Sequence, residues 1–353
     1  MSNTIALMEI KQPIGSFYFG KMSAQDLIDI KIVKRVHEGE GVQRLLKPDR
    51  VKAVSLFCED PDATFPTPII LSVCSADMHL VSMNELGVSV FSYDSPKPIA
   101  EILDGQHRVE GIEKSNLREV ELPVVVMFDL TEEQKAYIFS TINGTQERVN
   151  PSVIYELFKL SKNRSPLKTC HEIARALNSD VKSPFFRRLK MLEKREYKSE
   201  TISQNTFVKS LCKMITLNPN EAAIDLKKGK DFQAVDNLAF SYYFKEQQDA
   251  VILKILLNYF NAVNTVFYEE WNNHEEYILS KTIGFSALME ALNKLIPLGE
   301  EKGTLNYSFF ESILWKFREL LEQRRLQLTS EDFSSSGADR SRLSNLILEA
   351  AYN

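Results

Sequence analysis

Residues 98–114 carry a cluster of polar groups at the point where the chain has to change from one kind of element to another. Pro98-Ile99-Ala100-Glu101-Ile102-Leu103 is a short apolar run that reads as a buried strand, and Val109-Glu110-Gly111-Ile112-Glu113-Lys114 reads as the body of a helix. Between them stands Asp104-Gly105-Gln106-His107-Arg108. A glycine at such a turn lets backbone approach a ligand closely, because no Cβ stands in the way. The helix that follows aims free N–H groups and a positive dipole end at the same place. Arg108 suits a two-pronged grip on a phosphate or carboxylate. His107 suits proton transfer near neutral pH or donation to phosphate. Asp104 and Glu110, with Glu101 close by, suit a magnesium ion or an oriented water. The competing reading is an Asp-capped helix whose arginine pairs with its own acids.

The segments around this corner set the fold class. Gly15–Gly20, Pro68–Cys74, Met78–Val81 and Leu122–Phe128 read as strands, with Pro68–Cys74 a candidate for the centre of a sheet. A helix is expected after Ser23 as N-cap, and a second over Pro48–Phe57 with its proline in the first turn. Beyond Thr131 the pattern turns helical. Thr131 and Gln134 form a capping box, Ile142–Gln146 reads as a loop, and a new helix is expected near Pro151. Amphipathic stretches follow around 203–216, 247–268, 278–297 and 306–328, then a Ser-rich segment, 330–338, expected to be a mobile loop. The expectation is an α+β fold: a mixed core domain over 1–150 and a largely α-helical domain over 151–353, the latter a candidate for DNA binding and oligomerisation.

Two further segments supply polar groups for a pocket. In Phe139–Pro151, Asn143, Thr145 and Gln146 offer donors and acceptors around Gly144, suited to a base, a ribose or a phosphate, or simply to a helix connection. Gly41-Val42-Gln43-Arg44 offers a second anion grip, or an ordinary surface loop. With Gly105 and Gln106, these make Gln43, Arg44, Asn143, Thr145 and Gln146 the candidate nucleotide contacts. Asp104, His107, Arg108 and Glu110 are the candidate catalytic groups.

The chain has 353 residues and a net charge of -5, so a nucleic-acid surface has to be local. One stretch qualifies. Between Lys182 and Lys213 nine basic residues face three acids, a balance of +6. Lys182, Arg187, Arg188, Lys190, Lys194 and Arg195 are the candidate DNA contacts, with Phe185, Phe186 and Tyr197 interleaved where they could stack. A solvated helix face is the alternative. Cys58, Cys74, Cys170 and Cys212 are widely spaced, which argues against a zinc cluster and a disulfide framework. No signal peptide is expected at the N-terminus and no apolar run is long enough for a membrane helix, so the expected location is cytoplasmic. Walker, GxGxxG, GxSxG and HExxH motifs are missing from the sequence.

The pentapeptide Asp104–Arg108 resembles the signature of the DGQHR-domain family, whose DndB-like branch is associated with bacterial DNA phosphorothioate modification. Gly41–Arg44, the Phe139–Asn150 segment and Lys281-Thr282-Ile283-Gly284-Phe285 resemble further family blocks in the same order, so the likeness runs from about residue 15 to 345. It implies a core similar to the ParB/sulfiredoxin superfamily, in which Asp104, Gly105, His107 and Arg108 would form a phosphate-binding corner for ATP or another nucleoside triphosphate with Mg2+. No cysteine stands at that corner, so sulfinic-acid repair is not implied. The resemblance also implies double-stranded DNA as a partner; other DNA-modification proteins and a second copy of the chain are further candidate partners that the sequence leaves open. The expected function is that of a DNA-binding accessory or regulatory protein of a modification or phage-defence system, binding and hydrolysing or only binding a nucleotide. The alternative is a non-catalytic transcriptional repressor of the modification genes.

Overall fold

Strand β1 (Ser2–Gln12) places Ile5 and Leu7 on a buried face and Thr4, Ala6 and Met8 on an exposed one, the period-two alternation of a strand with one side packed. It belongs to the first of two compact units, Met1–Arg148 and Val149–Asn353. The computed structural model describes residues 2–32, 47–85, 87–144, 163–191 and 195–352.

The first unit is built on one mixed sheet. Its other strands are β2 (Gly15–Ser23), β3 (Ile69–Val73), β4 (Met78–Met83), β5 (Val88–Asp94), β6 (Ala100–Asp104) and β7 (Glu121–Phe128). The order across the sheet is β4-β5-β1-β2-β7-β3-β6. Every neighbouring pair is antiparallel except β3 and β7, which run parallel with Ile69 opposite Val124. Ser2–Gln12 and Val88–Asp94 are strands without a clear sequence signal, because residues such as Ala6, Met8, Val88 and Val90 blur the apolar alternation on the outer face. Pro68–Cys74 is not central: β3 lies one place from the edge, between β7 and β6.

Three helices of this unit are α1 (Ala24–Ile30), α2 (Pro48–Phe57) and α3 (Gln106–Glu113). Leu27, Ile30, Val109 and Ile112 share one core with Leu7, Leu71, Val124 and Val126 of the sheet. Each such fully buried aliphatic stabilises the fold by roughly 1.5–3 kcal/mol relative to exposure. The Oγ of Ser23 accepts from the N–H of Asp26 and caps α1, as its sequence implied. Helices α2 and α3 touch at Gly111, where a Cβ would lie 2.5 Å from Cβ of Val54. The start of β6 is covered from the side: the Ile99 N–H donates to the Ile30 carbonyl and the Ile32 N–H to the Ala100 carbonyl, both at 2.8 Å. That protects an edge that would otherwise offer unpaired backbone groups. Helix α4 (Glu132–Gly144) starts with the reciprocal box of Thr131 and Gln134, at 2.9 and 3.2 Å.

The second unit is helical. It comprises α5 (Pro166–Ser179), α6 (Gln204–Cys212), α7 (Pro219–Lys227), α8 (Ser241–Lys245), α9 (Asp249–Val266), α10 (Tyr268–Asn272), α11 (Thr282–Glu301), α12 (Tyr307–Gln323) and α13 (Gly337–Tyr352). Two short strands, β8 (Leu189–Lys190) and β9 (Ile202–Ser203), pair in parallel. The architecture is thus α+β with a largely helical C-terminal region. At the centre of this unit Phe185, Phe207, Phe260, Trp271 and Phe285 meet edge-on or stacked, with centroids 4.6–6.0 Å apart from Phe185. Phe185 is fully buried among them, so it is a core residue and not a stacking surface. Gly284 lies just before Phe285 and is required by close approach: a Cβ there would meet the Ile278 carbonyl at 2.4 Å. The Ser-rich segment before α13 is pinned and not loose, since the carboxylate of Asp339 accepts from Ser334 and Ser336 and Phe333 is buried.

Candidate functional site

The corner forms where its sequence placed it. Asp104 ends β6, Gly105 turns with φ of 99°, and α3 begins at Gln106. Glycine is required there twice over. Its φ lies in the left-handed region that disfavours side chains, and a Cβ would stand 2.4 Å from Cδ1 of Ile69 and 3.1 Å from a guanidinium nitrogen of Arg108.

Arg108 faces inward. One terminal nitrogen donates to the carbonyl and hydroxyl of Thr67. The second donates to the Pro68 carbonyl and to the Asp104 carboxylate, both at 3.0 Å. The side chain is 18% exposed and that of Asp104 33%. Burial pulls the guanidinium pKa below its ordinary value, and the Asp104 charge opposes that pull. The five-donor fork of arginine therefore staples the Thr67–Pro68 loop to the first turn of α3. This is the arrangement of an arginine paired with its own acid. Nothing in the sequence marked Thr67 and Pro68 as its partners, since a backbone carbonyl has no sequence signature.

The other polar groups of the cluster diverge from that point. Nε2 of His107 accepts from the Lys47 N–H at 3.1 Å, which fixes the ring against the start of α2 and puts the ring proton of the neutral form on Nδ1. The Gln106 amide folds back to donate to the Ile102 carbonyl at 3.1 Å. Glu110 pairs with Lys31 at 2.8 Å, and Lys31 also reaches Glu113. Burial lowers the Lys31 pKa, but the hydrogen bonds to Glu110 and Glu113 outweigh it and leave the pKa raised. Glu101 is buried and pairs with Lys135 of α4 at 2.9 Å. Asp104 keeps a part-exposed carboxylate at the turn itself.

Of the expected nucleotide contacts, Gln43, Arg44, Thr145 and Gln146 lie outside the described residues. Asn143 falls within α4 and not in the loop expected over Ile142–Gln146. Among the described residues, no group of three or more His, Cys, Asp or Glu is placed to hold a metal. The four cysteines are free, with Cys58, Cys170 and Cys212 buried. A cavity of about 800 Å³ in the first unit is lined by Thr4, Ala6, Met8, Phe19, Lys21 and Glu121, and no expected site residue is among its lining.

The basic stretch resolves into two kinds of side chain. Lys182, Arg187, Arg195 and Lys198 are exposed, and Lys190 is half-buried in β8. Lys194 lies outside the described residues. Arg188 is committed to the fold: it donates to the Trp271 carbonyl at 3.0 Å and to the Asn272 side chain. The described residues of 182–203 form turns and two short strands, so no continuous helix face carries these charges.

A mixed-sheet unit with a glycine-turned acidic corner, followed by a helical unit with an exposed basic turn, is the architecture these residues define. The profile of the DndB family, described as DNA-sulfur modification-associated, matches residues 7–336, and the chain belongs to that family. No curated protein matches the chain. Among solved structures, the C-terminally truncated chromosome-partitioning protein ParB from Caulobacter crescentus, complexed with CTP-gamma-S, is similar at 10% identity. The likeness covers 66% of this chain and 92% of that one, with a TM-score of 0.29, too weak to assign function. No helix among the described residues is long and apolar enough to cross a membrane.

Proposed function

We propose that this chain is a DNA-binding accessory protein of a bacterial DNA sulfur-modification system, acting by occupying duplex DNA and not by turning over a substrate. Regulation of the modification genes, and a part in phage defence, are the roles such occupancy would serve. The observation that carries the reading is the exposure of Lys182, Arg187, Arg195 and Lys198 within one short stretch of a chain whose net charge is -5. A local basic surface on an acidic protein attracts a polyanion where the rest of the molecule repels it. The Asp104–Arg108 corner supports the same reading, since Arg108 and Glu110 are engaged by Thr67, Pro68 and Lys31 and leave little charge for a reaction.

The test is duplex DNA binding followed by fluorescence anisotropy across salt concentrations. Each neutralised phosphate contributes a slope of about -0.9 in log K against log salt, so four contacts give about -3.6. A protein that shows no binding at low salt would exclude the reading.

A second reading places a nucleoside triphosphate at the corner. It is favoured by the part-exposed carboxylate of Asp104 beside His107 at the first turn of α3. Mg2+ is held by one or two carboxylates plus substrate phosphates, and among the described corner residues Asp104 is the carboxylate not claimed by a lysine. Asp104 would hold the ion and the amides of the turn would face phosphate. ATP hydrolysis measured with and without double-stranded DNA, beside His107→Ala, tests this. Turnover lost in the variant with DNA affinity kept would support it.

A further inference from the structure

The exposed turn at Arg187 combines three features that a plain surface loop does not need. Arg187 has φ of 54°, in the left-handed region where a non-glycine residue is strained. Its guanidinium stands 4.9 Å from the ring centroid of Phe186 and 4.6 Å from that of Tyr197, so two aromatic faces hold an exposed cation. The backbone around it is fixed by a set of hydrogen bonds. The Arg187 N–H donates to the Asn178 carbonyl at 3.1 Å, and the N–H groups of Arg188 and Leu189 donate to the Asn178 side chain at 3.1 and 2.9 Å. The Ser199 hydroxyl donates to the Arg187 carbonyl at 2.6 Å.

Glycine or asparagine would occupy such a turn without strain. The structure instead holds an arginine there, and no acidic side chain among the described residues pairs with it. Strain that the surroundings over-determine is a mark of sites where geometry serves binding. A guanidinium already packed against two rings loses less freedom when it meets a phosphate than one on a bare surface. The two rings flank the guanidinium while the side chain stays exposed, which suits a phosphodiester oxygen.

We infer that Arg187, presented by Phe186 and Tyr197, is the anchoring phosphate contact of this protein on the nucleic-acid backbone. This rests on the DNA-binding reading above and deepens it. The contact reads phosphate and not base, so it raises affinity for every sequence alike. Lys182, Arg195 and Lys198 lie in the same stretch and add charge without a fixed geometry.

The experiment compares wild type with Arg187→Gly, Arg187→Ala and Arg187→Lys by anisotropy on two duplexes of unrelated sequence, with thermal midpoints alongside. Arg187→Gly is expected to weaken binding about tenfold on both duplexes and to reduce the salt slope by about 0.9. It is expected to melt at or above the midpoint of Arg187→Ala, because glycine relieves the backbone while alanine keeps the strain. Arg187→Lys should keep the slope but bind more weakly than wild type, having charge without the fork. Wild-type affinity in Arg187→Gly, with wild type binding DNA, would overturn the inference and leave the DNA reading standing. Loss of binding only together with a fall of several degrees in the midpoint would overturn it too, by making Arg187 a folding residue. Failure of wild type itself to bind either duplex would overturn both.

Discussion

Replacing Gly105 with alanine should unseat the corner on which the first unit turns. The backbone there has φ of 99°, and holding an L-residue in that region costs about 1–2 kcal/mol. The added Cβ would lie 2.4 Å from Cδ1 of Ile69, which is itself fully buried, so relief requires moving β3 or the side chain into occupied space. Overpacking of that kind costs about 1–3 kcal/mol. It would also press on Arg108 at 3.1 Å and disturb the staple to Thr67 and Pro68. Alanine returns about 0.4–1 kcal/mol by restricting the unfolded chain. The net loss is about 2–4 kcal/mol, a large fraction of the 5–15 kcal/mol typical of a domain. Hydrogen exchange resolves it locally: protection of β3, β6 and α3 should fall by a factor of roughly 30 or more. The chain's tryptophans, Trp271 and Trp315, both lie in the second unit, so their fluorescence reports that unit and serves as an internal reference. A loss below about 0.5 kcal/mol in β6 and α3 would refute the claim that the glycine is conformationally required.

Arg108→Met should destabilise the first unit by about 3 kcal/mol, since Asp104 and two loop carbonyls would lose their shared donor; urea unfolding followed by circular dichroism measures it. Arg108→Lys should recover only part of that, because one ammonium cannot replace a fork reaching four acceptors. Lys31 links Glu110 and Glu113, and its pKa is raised above the ordinary 10.5. A raised lysine pKa gives stability that is present in full below about pH 10.5 and lost as pH rises through the higher folded value. Lys31→Met should therefore flatten the alkaline limb of the stability profile beyond pH 10.5, measured as urea midpoints against pH. Arg195→Ala with Lys198→Ala should reduce the salt slope of DNA binding by about 1.8 and leave the melting midpoint unchanged.

Much of the first unit was legible in the sequence because its signals are local. Ser23 before α1, Pro48 at the start of α2 and the Thr131–Gln134 box each announce an element through chemistry within one turn. The corner was legible for the same reason: a glycine set between an apolar run and a helix marks a sharp change of backbone direction. The partners of its side chains were not legible. Thr67, Lys31 and Lys47 lie 41, 79 and 60 residues away from Arg108, Glu110 and His107, and only the tertiary fold brings them together. Strand β1 escaped because Ala6 and Met8 make its open face apolar as well. In the second unit the count of charges located the basic stretch, but composition could not separate Arg188, which holds Trp271 and Asn272, from Arg187 one residue earlier, which points outward. Nor could it show that Phe185 faces the core while Phe186 flanks a cation.

The central claim is that the chain binds duplex DNA through an exposed basic surface without needing a nucleotide. A salt titration of DNA binding between about 50 and 200 mM, with nucleotide and magnesium absent, tests it most directly. Binding is expected at the low end, similar for unrelated sequences, with a linear log–log slope of about -3.6. No binding at low salt, or binding that begins only when a nucleotide is added, would contradict it.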